Sequence, residues 1–494
     1  MDDMPSPVSS ESDARGAHQG LAKNSLGVAS IVFLVLAAVA PLTGIVVIAT
    51  LGIALGNGGG MPLSFLLVTV ILLLFAVGYA QMSRQLVSAG GFYAFVLKGL
   101  GRPAGIIAGY IALLGYNCFV AGAVGTSGFF TASVLKDLTG LETPWILWSL
   151  VSAAAVFLLS RRGIDVSAKV LGVCLVLEVA ILLVFDFRVL FSTGFSWQAF
   201  SVEAFFSGSA ALGLLFAANV FIGFEATGLF SEEARKPLTT IPRATYVAIA
   251  FIGVFAAFTS WAIVSATGVA QAKDAALEHL ASGDLVFSLA HEYLGDALLK
   301  VMMVLLLVSL FAALLALHNS TTRYLYAFGR VGILPRSLGT TRVGTGVPQR
   351  ASLLQILFAT AVAVLYFVLG LDPIAALTAS MTGLGTLGIL SLQLLAAVAI
   401  VVSFRRQRDR RLWRTLIAPG LGALGLSGIV GLVVLNFGLV AGSDSPVVAM
   451  LPLLLPLLAM AGGLAAWWLS RHRPQLYREL DQDLSRAKKI DTQE

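Results

Sequence analysis

Apolar runs of about 20 residues recur along the chain from residue 27 to residue 469, with short polar loops between them. A helix of about 20 apolar residues is long enough to cross the hydrocarbon core of a bilayer. The pattern therefore predicts twelve transmembrane helices, which we place near 27–56, 62–82, 104–130, 145–160, 168–187, 208–230, 243–268, 298–328, 350–370, 374–402, 412–440 and 446–469. Residues 1 to 24 lack apolar periodicity and are rich in Ser, Asp, Gly and Ala, which predicts a disordered tail.

The basic residues lie mostly in alternate loops. One side of the predicted bundle collects Arg84, Lys98, Arg102, Arg161, Arg162, Lys169, Arg235, Lys236, Arg243, Arg323, Arg330, Arg336, Arg342 and Arg350. The run FRRQRDRRLWR and the tail after Arg471 lie on the same side. Since Lys and Arg accumulate in cytoplasmic loops, we expect both termini in the cytoplasm and the protein in the cell membrane.

The composition agrees with this pattern. Of the 494 residues, 58% are hydrophobic and only 12% are charged, whereas a soluble globular chain has about 25% charged residues. The net charge of +6 falls mostly in loops, so we interpret it as a topology signal and expect no nucleic-acid partner. The expected partners are the lipid bilayer and a small molecule.

Two of the apolar runs contain helix-breaking sequences. The first run is interrupted at Ala40-Pro41-Leu42-Thr43-Gly44, and the sixth carries Glu225 between Gly223 and Gly228. Proline removes a backbone donor and glycine weakens a helix. Broken helices in corresponding places of two halves are the best sequence indication of a transporter's binding site.

The first interruption has the chemistry to hold a zwitterion. The half-helix that ends at Ala40 presents carbonyl groups, which suit an ammonium. The half-helix that begins near Thr43 presents N–H groups, which suit a carboxylate. We therefore nominate Ala40, Pro41, Thr43, Gly44 and Ile45 as substrate-binding residues; a proline kink that serves packing only is the alternative.

The second interruption supplies five further candidates, Phe221, Ile222, Gly223, Phe224 and Glu225. An aromatic side chain here can cover the substrate as a gate, although Phe224 can equally be a packing residue. Glu225 has three readings: it pairs with a cationic group of the substrate, carries the coupling proton, or makes a structural hydrogen bond to another helix. A carboxylate at membrane depth is costly unless it is paired, so such residues usually face a bundle interior or a water-filled cavity.

Several sequence motifs resemble those of the amino acid–polyamine–organocation (APC) permeases over nearly the whole chain. AGGFYAFVLKGLGRPAGIIAGY resembles the family's cytoplasmic helix and third span, FIGFEATGLFSEEARKPLTTIPRA its sixth span, and HNSTTRYLYAFGRVGILP the end of its eighth span. The chain departs from the family at Val331, where an acidic residue is usual. Some proton-coupled members carry a lysine in the fifth span, and the best-matching residue here is Glu178.

The resemblance implies an all-α, LeuT-like fold in which helices 1–5 and 6–10 form two inverted repeats and helices 1 and 6 are unwound at the substrate. The implied organisation is a tail at 1–24, a transport core at 25–402, two added helices at 403–470 and a cytoplasmic tail at 471–494. Transport would follow alternating access, coupled to H⁺ or Na⁺ or by exchange, with no other cofactor.

The coupling candidates are Glu178, Glu225 and Ser309. Glu178 is either a proton acceptor near the place where relatives bind sodium or a structural residue, and Ser309 lies where sodium-coupled relatives use hydroxyl groups. Glu232, Glu233 and Arg243 form a charged cluster at the cytoplasmic end of the sixth span. They are candidates for a gate that pairs with neighbouring loops, with a solvated loop as the alternative.

These observations favour a secondary transporter of amino acids or related amines. A polyamine or organic-cation carrier of the same fold is the alternative, and an ion channel is the alternative from another class, although no ring of acidic residues is evident. We expect no enzyme activity, because HExxH, GxSxG with plausible partners, and His or Cys clusters are not found. The sequence does not specify which amino acid or amine is carried.

Overall fold

The computed structural model describes residues 26–86, 91–161, 168–229, 234–330, 332–342, 346–440 and 446–480. Within these ranges the regular structure is helical, apart from an isolated bridge between Leu26 and Ala234. Glu232 and Glu233, the tail at 1–24 and most of the tail after 471 lie outside the described residues.

The first apolar run forms two helical pieces that meet at Ala40. The first piece is α1 (Val28–Val39), and the second is α2 (Pro41–Thr43), which continues through π-helical turns at Gly44–Ala49 and Gly52–Asn57. Ala40 itself adopts the left-handed conformation, with φ 51°, which residues other than Gly, Asn and Asp seldom adopt. The chain therefore turns sharply where the sequence places proline.

The sixth apolar run is also divided. Its two pieces are α9 (Ala210–Val220) and α10 (Ala226–Leu229), joined by a series of turns through residues 221–225. Between the two divided runs lie α3 (Met61–Ser83), α4 (Gly91–Leu100), α5 (Arg102–Thr139), α6 (Trp145–Ser160), α7 (Ala168–Thr193) and α8 (Val202–Phe205).

The remaining helices complete a bundle around these two divided segments. They are α11 (Pro237–Thr267), α12 (Ala272–Glu278), α13 (Leu285–Leu294), α14 (Asp296–Arg330), α15 (Gln349–Val368), α16 (Ala379–Arg406), α17 (Ala418–Asn436), α18 (Pro446–Met450), α19 (Leu454–His472) and α20 (Pro474–Glu479). A π-helical turn at Pro373–Thr378 leads into α16, and another at Trp413–Ile417 leads into α17.

By length and composition, eight helical stretches of the described chain are suited to cross a membrane. They are Val28–Ser83, Arg102–Thr139, Pro237–Thr267, Asp296–Arg330, Gln349–Val368, Pro373–Arg406, Trp413–Leu439 and Val448–His472. The protein is thus a multi-pass membrane protein.

Small residues let the central helices approach closely. A Cβ atom placed on Gly388 of α16 would lie 2.9 Å from the Cα atom of Gly115 on α5, and one placed on Gly385 would lie 2.8 Å from the Gly115 carbonyl oxygen. Helix association in lipid depends on such close van der Waals packing, because lipid tails are as apolar as the side chains. Glycine at these positions brings α5 and α16 together beside the two divided segments.

Candidate functional site

The break at Ala40 redirects the backbone donors of the first segment. Ala40 N–H donates to Leu36 O at 3.0 Å, and Gly44 N–H donates to Ala40 O at 2.9 Å. Between them, Pro41 has no N–H to offer. The N–H groups of Leu42 and Thr43 turn to side chains of neighbouring helices.

Glu178 of α7 and Ser309 of α14 receive these two N–H groups. Leu42 N–H donates to Glu178 Oε2 at 3.3 Å, and the Ser309 hydroxyl donates to the same oxygen at 2.7 Å. Thr43 contacts Ser309 Oγ through its N–H at 3.4 Å and through its hydroxyl at 3.1 Å. One hydroxyl can donate once and accept twice, so this arrangement uses Ser309 fully.

The N–H groups of Leu42 and Thr43 thus have acceptors within the protein in this arrangement, and the assignment of Thr43 to a substrate carboxylate stays a prediction. Glu178 links α7 to the broken segment, and Ser309 links both to α14.

The same geometry leaves carbonyl groups without helical donors. In an unbroken helix, residues 41, 42 and 43 would donate to the carbonyls of residues 37, 38 and 39. Proline cannot donate, and the other two N–H groups point to Glu178 and Ser309. The C-terminal end of α1 therefore offers oxygen atoms of partial negative charge, which suit an ammonium group.

The second break forms around Glu225. Gly223 has φ 119°, a left-handed conformation that favours glycine. Gly223 N–H donates to Glu225 Oε2 at 2.9 Å, and the Tyr116 hydroxyl donates to Glu225 Oε1 at 2.7 Å. Tyr116 in turn stacks on Tyr324, with 5.0 Å between ring centroids. Both oxygens of Glu225 thus hold the turn and tie it to α5.

A cavity of about 50 Å³ lies between the two divided segments, with room for a few water molecules. Its apolar lining includes Val39, Val47, Phe119, Ile222, Leu310 and Leu317. Its polar side chains are Thr43, Thr126, Asn219 and Thr382, and no charged side chain of the described chain lines it. The cavity therefore offers an apolar surface with a few polar groups.

The cavity brings together only part of the predicted site. Thr43 and Gly44 of the first break and Ile222 of the second line it. The other nominated residues of the two breaks are buried but do not line it; they are Ala40, Pro41, Ile45, Phe221, Gly223, Phe224 and Glu225. Phe224 instead packs edge-on against Phe92, at 6.3 Å between centroids. Its side chain does not cover the cavity here.

The segment between α12 and α13 covers a second, smaller cavity that shares Val47 with the first. His279, Leu280 and Gly283 line this second cavity. His279 Nδ1 lies 2.6 Å from Asp284 Oδ1, which helps to hold the covering segment in place. Burial acts to raise the pKa of Asp284, but hydrogen bonds from Ser282 and His279 and the charge of His279 bring it below its usual value.

The predicted cytoplasmic gate lies largely outside the described residues. Arg243 is exposed near the start of α11. Glu232 and Glu233 are in the part of the chain that the structure does not describe. The pairing proposed for this cluster stays a prediction.

Sequence reasoning missed two buried polar residues. Asn219 of α9 lines the cavity. It is a polar residue at membrane depth within an apolar run, two positions before Phe221. Asp186 of α7 has 0% exposure, and Thr259 of α11 donates to its Oδ2 at 2.8 Å. The predicted fifth span ends at residue 187, whereas α7 continues to Thr193, so Asp186 is well inside the helix.

We expect Thr259→Val to destabilise the protein, because Thr259 is the hydrogen-bond donor found for Asp186 within the described structure. A buried acceptor that loses its donor costs about 1–3 kcal/mol. The apparent unfolding temperature in detergent would measure the change. Thr267→Val is the matched control, because that hydroxyl bonds only to carbonyls of its own helix. Equal effects of the two substitutions would show that the Asp186 contact contributes nothing.

Comparison with known proteins adds to this geometry. A family profile described as "Amino acid permease" matches residues 26–461. The chain is 28% identical over 418 residues to the branched-chain amino acid permease BcaP of Bacillus subtilis (strain 168). The matched region covers 80% of this chain and 84% of that protein. It is 28% identical over 309 residues to BcaP of Lactococcus lactis subsp. cremoris, over 57% and 63% of the two chains. It is 22% identical over 328 residues to the low-affinity putrescine importer PlaP of Escherichia coli (strain K12), over 64% and 69%.

Proposed function

Because the chain belongs to the amino acid permease family, within the APC superfamily, and so transports an amino acid or amine, we propose that its substrate is a neutral amino acid with an apolar side chain. It moves this substrate across the cell membrane by alternating access. The observation that carries the proposal is the cavity between the two broken segments, with its apolar lining and the carbonyl groups at the C-terminal end of α1.

The lining of the cavity matches the parts of such a substrate. The carbonyls at the end of α1 suit the ammonium group, and Val47, Phe119 and Leu310 suit an aliphatic side chain. The similarity to two branched-chain permeases supports the same class. A diamine such as putrescine would need a second anionic partner. Glu225 does not supply one, because both of its oxygens are engaged by Tyr116 and Gly223.

The cavity must widen before it can hold an amino acid. Its volume of about 50 Å³ is well below that of pockets that enclose larger ligands. Alternating access supplies that change, with the half-helices moving apart on one side at a time. For the fold we propose twelve crossing helices in all, ten of them in two inverted repeats and two added after the repeats, with both termini in the cytoplasm.

Glu178 is the residue we propose for proton coupling. It is buried, it contacts the first broken segment through Leu42, and Ser309 is its other hydrogen-bond partner. An ionised carboxylate buried without a cation is costly, so proton binding and release there can be coupled to movement of the segment. The Ser309 hydroxyl points at Glu178 rather than offering its oxygen to a cation, which favours H⁺ over Na⁺.

A thermal-shift screen of the purified protein tests the substrate class. Valine, leucine and isoleucine should raise the apparent unfolding temperature, because a ligand at 100 times its Kd stabilises the folded state by about 2.7 kcal/mol. Lysine, glutamate and putrescine should not. Stabilisation by putrescine alone would overturn the proposed class.

Counterflow in proteoliposomes tests the transport mode. Unlabelled leucine inside the vesicles should accelerate entry of labelled leucine, because a carrier returns faster when it is loaded. A channel gives no such trans-stimulation. Leucine entry without counterflow would therefore contradict alternating access.

A further inference from the structure

We propose that an anionic phospholipid binds in a groove on the outer surface of the bundle, with its phosphate group held by Arg84, Tyr246 and Arg414. The groove lies over α3, between α11 and α17. This inference is independent of the transported substrate, because it uses no residue of the cavity between the two broken segments.

The groove is formed by three helices, with α3 as its floor. Both α11 and α17 pack against α3. Gly253 of α11 lies against Thr69, whereas Gly422 of α17 lies against Phe75. Six positions along a helix correspond to a rotation of about 240°. The two neighbouring helices therefore cover different sides of α3 and leave a strip of it between them.

The uncovered strip of α3 is apolar. Leu67 is 38% exposed and Val70 is 55% exposed, and both lie on the arc of the helix between Thr69 and Phe75. Exposed apolar side chains of the two neighbouring helices continue this surface; they are Val247 and Val254 of α11 and Leu421 and Leu424 of α17. An acyl chain fits such a surface, because both are apolar.

The groove ends in polar groups from all three sides. Arg84 caps the C-terminal end of α3, Tyr246 lies in the third turn of α11, and Arg414 lies in the π-helical turn that leads into α17. The charges of Arg84 and Arg414 both act on the Tyr246 hydroxyl, so the three groups lie near one another. Guanidinium groups pair well with phosphate oxygens, and the phenol hydroxyl is a further donor.

Nothing within the described part of the chain neutralises these groups. The side chains of Arg84, Tyr246 and Arg414 make no hydrogen bond or ion pair with other described residues. Asp409 is the single acidic residue of the run FRRQRDRRLWR, and it pairs with Arg411 at 2.7 Å. The donors of the other three groups are therefore available to an anion.

The loop before Arg414 is fixed to the bundle. Arg411 Nη1 donates to Gln81 Oε1 of α3 at 3.2 Å, and Arg406 Nη1 donates to Gly99 O of α4 at 3.2 Å. These contacts hold the loop against the ends of two helices. They present Arg414 at a defined place beside α3, so the site is built before a ligand arrives.

Two observations favour a lipid over a soluble anion. Leu412 and Trp413, which precede Arg414, have exposed side chains, and tryptophan is typical of the membrane interface. The polar groups also stand at the end of an apolar groove, which a soluble anion would leave empty. Basic pockets between membrane helices on the cytoplasmic side bind anionic headgroups, and the proposed topology places this end in the cytoplasm.

The test compares two lipids that have the same acyl chains. Dioleoyl phosphatidylglycerol is anionic, and dioleoyl phosphatidylcholine carries a cation that would lie near the arginines. We expect the first to raise the apparent unfolding temperature of the full-length protein in neutral detergent, because a ligand of the folded state stabilises it. The second should have little effect, and glycerol phosphate, which has no acyl chains, should have none.

Substitutions of the polar groups locate the site. Arg84→Gln and Arg414→Gln should each raise the phosphatidylglycerol concentration for half-maximal stabilisation about fivefold, since an arginine near the surface contributes about 1 kcal/mol to attraction of anionic lipid. Tyr246→Phe should have a smaller effect. Arg336→Gln and Arg350→Gln are matched controls, because these exposed arginines lie in another loop on the same side, and both should behave as wild type.

A further substitution tests the apolar half of the groove. Val70→Trp places a large ring on the floor and should also weaken the effect of phosphatidylglycerol. Val301→Trp is its control, because Val301 is a similarly exposed residue of α14. Each variant must elute as wild type in size-exclusion chromatography before its lipid response is compared.

The alternative results have distinct meanings. Equal losses in all four arginine variants would show a diffuse attraction to basic loops and would overturn the site. Equal stabilisation of wild type by phosphatidylcholine would overturn the preference for an anion. Stabilisation by glycerol phosphate would replace the lipid with a soluble anion. None of these results bears on the transported substrate, so failure here leaves the proposed function intact.

Discussion

Glu178→Gln is expected to reduce proton-driven accumulation of substrate by a factor of about ten or more, while it preserves exchange of substrate across the membrane. Glutamine has nearly the same shape, and its oxygen can still accept from Leu42 N–H and from the Ser309 hydroxyl, which now donate to Glu178 Oε2. It cannot take up or release a proton. Labelled leucine uptake into proteoliposomes with an acidic exterior measures accumulation, and counterflow without a gradient measures exchange.

Ser309→Ala provides the comparison for this substitution. It removes the donor at 2.7 Å from Glu178 but keeps the carboxylate, so we expect slower uptake that still depends on pH. Normal, pH-dependent accumulation by Glu178→Gln would remove Glu178 from the coupling mechanism. Accumulation driven by a sodium gradient in wild type would replace the proton with Na⁺.

Glu225→Ala is expected to destabilise the protein strongly, whereas Glu225→Gln should be tolerated. Alanine leaves the Tyr116 hydroxyl and Gly223 N–H without their acceptor, and each buried donor that loses its partner costs about 1–3 kcal/mol. Glutamine can accept from Gly223 N–H and donate to the Tyr116 oxygen, because a tyrosine hydroxyl also accepts. The apparent unfolding temperature in detergent compares the variants.

Tyr116→Phe serves as a check on this interpretation, because it removes one of the two hydrogen bonds and leaves the other. We expect its loss of stability to lie between those of Glu225→Gln and Glu225→Ala. If Glu225→Gln folds normally, as expected, but loses proton-driven uptake while Glu178→Gln keeps it, the coupling proton belongs to Glu225 rather than to Glu178.

Much of the helical architecture follows from local sequence. The predicted helix at 145–160 corresponds to Trp145–Ser160, and that at 62–82 to Met61–Ser83. The break at Ala40-Pro41 is also local, because proline lacks a donor wherever it stands. Long apolar runs and helix-breaking residues act through the backbone of their own segment, so their effect can be read without knowledge of neighbouring helices.

The partners of the broken segments depend on helices that are distant in sequence. Glu178 lies 136 positions from Leu42, and Ser309 lies 266 positions from Thr43. No periodicity shows that these residues meet, which is why the N–H groups near Thr43 were expected to be free. Asn219 is missed for a related reason: a single polar residue in an apolar run gives no sign of whether it has a partner.

Sequence alone thus determined that this chain is a helical membrane protein, where most of its long helices run and where two of them break, since these follow from hydrophobicity and backbone chemistry within each segment. Tertiary structure alone decided which polar groups are satisfied. It assigned the donors of the first break to Glu178 and Ser309, fixed Glu225 between Tyr116 and Gly223, and left Asn219 and Thr382 unpaired at a cavity. Hydrogen bonds act over about 3 Å, so the packing of distant helices determines which groups remain to bind a ligand.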